Sequence, residues 1–141
     1  SWTRVLSTNL DSVFHGCQAV LPGMISRRSG RIINIASLSA LLAPAGQGNY
    51  AAAKAGVLGL THSLAKEVAR LGITVNAVCP GYIDTEALTH LAPERRQAAV
   101  ASIPMRRLGR PAEVATVVRF LASAEASYVT GAEIKVDGGI L

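Results

Sequence analysis

The sequence has 141 residues, of which 50% are hydrophobic and 16% are charged, and its formal net charge is +5. This composition is typical of a compact soluble α/β protein that buries a core on both faces of a sheet. No apolar run approaches the roughly 18 to 20 residues that a membrane span needs, and the first residues lack a secretory pattern, so we expect a cytoplasmic protein without a membrane partner.

The first predicted elements are a long helix and a short strand. Residues 2–28 have a helical pattern with an expected kink at Leu21-Pro22-Gly23, because proline removes a helical hydrogen bond. Residues 31–36 form a β-branched run after Gly30, as expected for a buried parallel strand. Ser37 therefore follows the carboxyl end of this strand.

A second long helix is predicted over residues 48–71, where Gly72 ends it. The next strand is predicted over residues 73–78, and Pro80-Gly81 stops it. Residues 84–103 predict a loop with short helices. The polar and proline-containing segment 82–104 should be mobile and able to close over a substrate.

The last predicted elements are a helix over residues 111–123, with Pro111 in its first turn, and a strand over residues 133–136. Strands that alternate with helices imply right-handed crossovers, so the predicted fold is α/β with a Rossmann-like doubly wound parallel sheet of about three strands. Ligands of such sheets bind at the carboxyl ends of the strands, which Ser37 and Pro80-Gly81 follow.

Tyr50 and Lys54 lie one helical turn apart on the second helix. This spacing places an ammonium group beside an ionisable phenol, and a neighbouring cation favours the phenolate form. The pair is therefore suited to proton transfer to or from a carbonyl or alcohol oxygen.

Basic residues fall in short separate clusters, at Arg27-Arg28, Arg95-Arg96 and Arg106-Arg107 with Arg110, and only 4% of the chain is aromatic. We interpret these clusters as solvated faces and expect no nucleic-acid partner. Cys17 and Cys79 are too few for a disulfide framework and are predicted to be free thiols in the interior. The three histidines, His15, His62 and His90, share no ligand spacing with them, so no metal site is predicted.

Five sequence blocks carry a family resemblance. They are Thr8-Asn9-Leu10, the run from Gly30 to Ser37, Tyr50-x-x-x-Lys54, the run from Val75 to Gly81, and Val129-Thr130-Gly131 with Val136-Asp137-Gly138-Gly139. In this order the blocks resemble the C-terminal part of the short-chain dehydrogenase/reductase family. Within it, the runs from Asn49 to Gly56 and from Gly72 to Asn76 are most similar to the 3-oxoacyl-(acyl-carrier-protein) reductases.

The resemblance implies four catalytic residues. Tyr50 would protonate the carbonyl oxygen, and Ser37 would orient and polarise that oxygen. Lys54 would favour ionisation of the phenol and bind the nicotinamide ribose, while Asn9 would hold a water in a proton relay. Taken singly, each residue also has a structural interpretation: Ser37 as a turn residue, Tyr50 as a half-buried core residue, Lys54 as a solvated residue and Asn9 as a cap.

The resemblance also implies a cofactor-binding set of Tyr50, Lys54, Pro80, Gly81, Ile83 and Thr85. Ile83 and Thr85 would present backbone and hydroxyl groups to the nicotinamide carboxamide. Asn34 either lines the same crevice or serves in packing, and Pro80-Gly81 could be only a sharp exit from a strand.

The sequence departs from the family at its beginning, because it contains neither the glycine-rich loop for the pyrophosphate nor the Asn-Asn-Ala-Gly segment. We therefore expect residues 1–141 to be the catalytic part of one domain, with about two-fifths of a complete family member not included. The residue that selects NADP or NAD lies in that part, and the resemblance favours NADP(H) over NAD(H).

The function implied is reduction of a 3-oxoacyl thioester to the 3-hydroxyacyl form with NADPH. The resemblance implies two kinds of partner: acyl carrier protein, which would carry the substrate, and three further copies of the chain in a homotetramer. Basic residues near the substrate entrance would attract an acidic carrier, and Arg28 is a candidate for this role. One alternative is another short-chain dehydrogenase that acts on a sugar, steroid or hydroxy acid with NAD(H). The other is a truncated, non-catalytic assembly module.

Overall fold

The computed structural model describes residues 1–141 and contains three strands and seven α-helices. The strands are β1 (Gly30–Ile35), β2 (Ile73–Pro80) and β3 (Glu133–Val136), and the helices are α1 (Trp2–Leu6), α2 (Ser12–Arg27), α3 (Ser39–Leu42), α4 (Gly48–Val68), α5 (Glu86–Thr89), α6 (Pro93–Ser102) and α7 (Pro111–Ala122). None of the helices combines the length and the apolar character of a membrane span.

The three strands form one parallel sheet in the order β1-β2-β3. In the register of β1 and β2, Gly30 pairs with Ile73 and Ile35 pairs with Val78. All residues from Ile73 to Cys79 are buried, as expected for a central parallel strand covered on both faces. The predicted α/β fold class with a Rossmann-like parallel sheet is thus confirmed.

Helices cover both faces of the sheet. On one face, α2 and α4 pack over Ile32, Ile73 and Val75, and the core there includes Cys17 and Leu64. On the other face, Leu121 of α7 packs against Val78 together with Ala126. The side chains of β2 alternate between these two cores, so this strand joins the layers of the fold.

Asn76 fixes the position of β3. Its Nδ2 donates to the Val129 carbonyl at 2.9 Å, and its Oδ1 accepts from the Ala132 N–H at 2.9 Å. The Val75 N–H donates to Thr130 Oγ1 at 3.1 Å. A buried amide with both ends satisfied holds the preceding loop in one place, so β3 enters the sheet beside β2.

The first helix differs most from its prediction. It is continuous through Pro22, but a π-helical turn at Ser7–Asp11 separates α1 from α2. Within this region the Ser12 hydroxyl donates to the Thr8 carbonyl at 2.6 Å. Side chains that bind nearby carbonyls compete with the α-helical ladder, which accounts for a turn that hydrophobic periodicity does not predict.

The other differences are small. Strand β1 begins and ends one residue before its predicted bounds, and β2 extends to Pro80. Helix α4 ends at Val68, after which a 3₁₀ turn leads to Gly72 with a left-handed φ of 75°. The short helix α3 was not predicted. Cys17 and Cys79 are free and buried, as predicted.

Arg28 does not lie near the predicted substrate entrance of its own chain. Arg28 caps the carboxyl end of α2 and precedes β1, whereas Ser37 follows β1. Arg28 therefore lies at the opposite end of the sheet from the predicted substrate entrance. Its guanidinium donates to the Arg70 carbonyl at 3.0 Å, which joins the ends of α2 and the α4 region.

Candidate active site

The carboxyl ends of the strands are held together by backbone hydrogen bonds. The Leu38 N–H donates to the Pro80 carbonyl at 3.0 Å, so the segment that leaves β1 is attached to the end of β2. The Gly81 N–H donates to the Val136 carbonyl at 3.0 Å, which attaches the same point to β3. Residues that follow these strands therefore have fixed positions at one edge of the sheet.

Ser37 lies directly after β1 and is partly buried. Its Oγ accepts a hydrogen bond from the Ser39 N–H at 3.1 Å, which is the turn role that the sequence also allowed. A hydroxyl that accepts one bond still has a proton to donate. Ser37 can therefore stabilise the turn and donate to an oxygen in the cavity beside it.

Tyr50 and Lys54 lie in the first two turns of α4, next to the end of β1. Lys54 Nζ donates to the Ile35 carbonyl at 2.9 Å and lies 5.7 Å from the centroid of the Tyr50 ring. The strand end thus positions the ammonium beside the phenol. Burial lowers the pKa of Lys54, because a partly desolvated ammonium is disfavoured relative to the neutral amine.

Asn9 lies within the π-helical turn. Its Nδ2 donates to the Val5 carbonyl at 3.1 Å, which leaves Oδ1 as a free acceptor. Asn9 and Lys54 both line a cavity of about 390 Å³ beside β1. The π-helical turn approaches α4 closely, since a Cβ at Gly56 would come within 2.8 Å of Leu10 Cδ2.

The predicted cofactor-binding segment follows β2. A Cβ at Gly81 would come within 2.9 Å of Asp137 Cβ and 3.0 Å of its Cα, so the close approach of the two backbones requires glycine there. Ile83 is bridged to Gly109, and the Asp84 N–H donates to the Gly109 carbonyl at 2.8 Å. Thr85 precedes α5, and its hydroxyl makes no capping hydrogen bond.

One open cavity of about 730 Å³ brings most of the predicted residues together. Its lining includes Ser37, Tyr50, Lys54, Pro80, Gly81, Ile83 and Thr85, whereas Asn9 lies in the neighbouring cavity that Lys54 and Ile35 also line. The volume is in the range of small-molecule sites. The residues predicted from three separate segments therefore line one cavity.

Other residues of the cavity were not predicted, among them Gln47, Tyr82, Leu88 and Val114. Gln47 Oε1 accepts from the Ser39 hydroxyl at 3.2 Å, which links α3 to the start of α4. Its position three residues before Tyr50 was a signal for it, because residues three apart share a helical face. Leu88 and Val114 give no sequence signal beyond ordinary apolar character.

The far wall of the cavity depends on the start of α7. The Glu113 carboxylate accepts from the Arg110 N–H at 2.7 Å and forms an ion pair with Arg107 at 2.7 Å. These contacts hold the pKa of Glu113 at about 2, with the Arg107 hydrogen bond as the largest cause. They also fix the first turn of α7, from which Pro111 and Val114 line the cavity.

Cys79 and Asn34 lie near the site but serve the core. Burial raises the pKa of the Cys79 thiol to about 11, although the Ser37 backbone N–H partly opposes the shift as a hydrogen-bond donor. Asn34 is buried and its Nδ2 donates to Thr61 Oγ1 at 2.9 Å. It lines the cavity that holds Asn9 rather than the one that holds Ser37, which favours the packing interpretation.

Comparison with known proteins extends over the whole chain. A family model described as enoyl-(acyl carrier protein) reductase matches residues 1–141. The 3-oxoacyl-(acyl-carrier-protein) reductase FabG of Vibrio cholerae is 51% identical over 139 residues, and its counterpart in Thermotoga maritima is 48% identical over 140 residues. Each comparison covers 99% of this chain and 57% of the relative, so the chain spans little more than half their length.

A solved structure has the same fold as this chain. The crystal structure of the TT0495 protein from Thermus thermophilus matches with a TM-score of 0.93 and 44% sequence identity. The match covers 99% of this chain and 60% of that chain. Together, the family model and these relatives show that the chain belongs to the short-chain dehydrogenase/reductase family.

Proposed function

We propose that the protein to which these residues belong reduces a 3-oxoacyl thioester to the 3-hydroxyacyl form with NADPH. The observation that carries the proposal is the convergence of Ser37, Tyr50 and Lys54 on one cavity at the carboxyl ends of β1 and β2. The names of the relatives from Vibrio cholerae and Thermotoga maritima, both 3-oxoacyl reductases, support the choice of substrate.

The residues present suit the nicotinamide end of the cofactor. The Lys54 ammonium and the Tyr50 phenol can bind a ribose hydroxyl. The Thr85 hydroxyl, which makes no capping hydrogen bond, and the backbone of Ile83 can bind a carboxamide. A bound nicotinamide would supply the hydride. We propose that the pyrophosphate is held by residues outside these 141, since the sequence contains no glycine-rich loop of the required type.

The chain itself supplies the proton and the charge stabilisation. Ser37 Oγ donates to the substrate carbonyl oxygen and holds it beside the Tyr50 phenol. Tyr50 transfers its proton to that oxygen as negative charge develops there. The Lys54 ammonium stabilises the phenolate that remains, and Asn9 Oδ1 accepts from a water that returns a proton through Lys54.

The thioester would be presented by acyl carrier protein to a homotetramer of the protein. Arg110 is better placed than Arg28 to attract an acidic carrier, because its side chain is 73% exposed and it precedes the helix turn that lines the cavity. A steering role of this kind changes the association rate and weakens with salt. Replacing Arg110 should therefore raise KM for a carrier-bound substrate and leave KM for a free thioester unchanged.

A substrate panel tests the proposal. The natural-length protein is assayed with NADPH and NADH on a 3-oxoacyl thioester, a 2-enoyl thioester, a ketosteroid and a keto sugar. We expect the 3-oxoacyl thioester with NADPH to give the highest kcat/KM, and Ser37→Ala to lower it while Ser63→Ala, on the exposed side of α4, leaves it unchanged.

Preference for the 2-enoyl thioester would instead favour the reaction named by the family model. Preference for NADH with the sugar or steroid would favour a different dehydrogenase. Turnover of none of these substrates by a folded protein that also fails to bind either dinucleotide would contradict an enzymatic role and favour an assembly module.

A further inference from the structure

A second cavity lies at the amino ends of the strands, opposite the candidate active site. Its volume is about 470 Å³, and it lies between the start of β1, the turn before β2 and the loop that leads to β3. The residues that matter here are Arg31, Thr74, Thr130 and Tyr128. The cavity shares no residue with the one that holds Ser37 and Tyr50.

Thr74 is the first reason to regard this cavity as a binding site. Its side chain lies on β2, the residue is only 6% exposed, and its Oγ1 has no hydrogen-bond partner. No other buried side-chain nitrogen or oxygen of the chain lacks a hydrogen-bond partner. A buried hydroxyl without a partner is costly, and a group bound in the cavity that Thr74 lines would supply that partner.

Arg31 is the second reason. It pairs with Thr74 in the sheet register, so both side chains lie on the same face. Its Nε donates to the Ser123 carbonyl at 3.4 Å and its Nη1 to the Gly30 carbonyl at 3.2 Å, whereas Nη2 has no partner. Arg31 forms no ion pair within the chain. Backbone contacts thus hold the guanidinium, and no carboxylate among residues 1–141 compensates its charge.

The remaining groups also favour an acceptor ligand. Thr130 Oγ1 accepts from the Val75 N–H at 3.1 Å, which leaves its proton free to donate. Ser127 and the fully exposed Tyr128 contribute further hydroxyls at the rim. No Asp or Glu lines the cavity, so its walls present hydrogen-bond donors and one positive charge without a competing carboxylate.

From these contacts we propose that the cavity binds a small molecule through a phosphate or carboxylate group. Arg31 Nη2 and the hydroxyls of Thr74 and Thr130 donate to the oxygens of that group. Oxyanions are the ligands that a guanidinium and several hydroxyl donors recognise best. The volume leaves room for an organic part beyond the oxyanion, which would lie toward Tyr128.

The test uses the natural-length protein and three probes: inorganic phosphate, phenyl phosphate and benzoate. Isothermal titration gives the affinities, and the amide resonances of Gly72 and Thr74 in NMR spectra show whether each probe binds in this cavity. We expect one of the probes to bind there. Thr74→Val, which removes the hydroxyl at nearly constant shape, should weaken binding by about tenfold to a hundredfold, and Arg31→Gln by at least as much.

Matched controls change the same residue types elsewhere. Thr116→Val removes an exposed hydroxyl on α7, and Arg95→Gln removes an exposed charge on α6. Both should leave probe affinity unchanged, and all four variants should keep reductase activity. Comparison of phenyl phosphate with benzoate identifies which oxyanion the site prefers.

Two outcomes would overturn the proposal. The first is that no probe shifts the Gly72 or Thr74 resonances at millimolar concentration, so that the Thr74 hydroxyl meets only solvent or another part of the protein. The second is binding that Thr74→Val and Arg31→Gln leave unchanged. Either result is independent of the proposed reductase activity, because a different cavity carries that activity.

Discussion

The central strand and the segment that follows it contribute to the same cavity but are held in different ways. All residues from Ile73 to Cys79 are buried. Between residues 82 and 110 the single buried residue is Ile103, and helix α6 has no buried residue. Apolar packing fixes the first region, and turns with exposed ion pairs such as Asp84–Arg96 hold the second. The candidate reacting groups belong to elements packed on the sheet, while the segment with fewer buried residues supplies other walls of the cavity, and we expect that segment to move when a substrate binds.

The largest expected effect follows from removing the hydroxyl of Tyr50, which lies on helix α4, packed on the sheet. Tyr50→Phe should lower kcat by about 10²- to 10⁴-fold, the usual contribution of a general acid. Thermal unfolding should change little, because the ring remains and the hydroxyl makes no hydrogen bond within the chain. Dinucleotide affinity should fall by much less than kcat, because the Lys54 ammonium still binds the ribose. Unchanged turnover would contradict the assignment of Tyr50.

Lys54→Ala should affect both rate and binding. Loss of the ammonium should lower kcat by about 10²-fold and weaken dinucleotide affinity, because the charge beside the phenol and a ribose ligand are removed together. Lys66→Ala, an exposed change on the same helix, is the matched control and should have neither effect. A Lys54→Ala protein with unchanged kcat and unchanged dinucleotide affinity would contradict the assignment of Lys54.

The difference in packing predicts a difference in stability. Ile73→Ala removes a side chain that is 1% exposed and should lower the free energy of unfolding by about 2–5 kcal/mol. Met105→Ala removes one that is 60% exposed and should lower it by less than about 1 kcal/mol. Urea unfolding measures both values. Equal losses would show that the segment after β2 is packed as firmly as the strand.

The smallest effect is a pH dependence from Cys79. Its pKa is raised to about 11, so between about pH 9 and pH 11 the folded protein keeps a proton that the unfolded chain loses. This contribution to stability is complete below pH 9 and is lost as the pH rises toward 11. Cys79→Ala should make the urea midpoint less sensitive to pH in that range. An identical decline in both proteins would contradict the shift.

Much of the fold could be predicted because the spacing of apolar residues in the sequence matches that of buried strands and helices. The runs around Ile32 and Val75 are short, β-branched and bounded by glycine or proline, so their strands were located to within one or two residues. The π-helical turn could not be predicted, because it depends on which carbonyls the Ser12 and Asn9 side chains bind.

The site could be predicted in part for a similar reason. Ser37, Tyr50 and Lys54 have reactive groups at positions defined by strand ends and helical spacing. The separation of Asn9 into a neighbouring cavity and the link from Gln47 to Ser39 depend on how helices cross the sheet, whereas the position of Arg28 before β1 follows from the order of the elements along the chain. Such crossings arise from contacts between distant segments, which one sequence does not specify.

The most direct test of the central claim is a crystal structure of the natural-length protein with NADP and a 3-hydroxyacyl thioester. We predict that the 3-hydroxyl oxygen lies within hydrogen-bond reach, about 2.6–3.2 Å, of both Ser37 Oγ and the Tyr50 phenol oxygen, with Lys54 Nζ on the nicotinamide ribose. A hydroxyl oxygen bound away from both side chains, with the dinucleotide present, would contradict the assignment of this cavity as the reductase site.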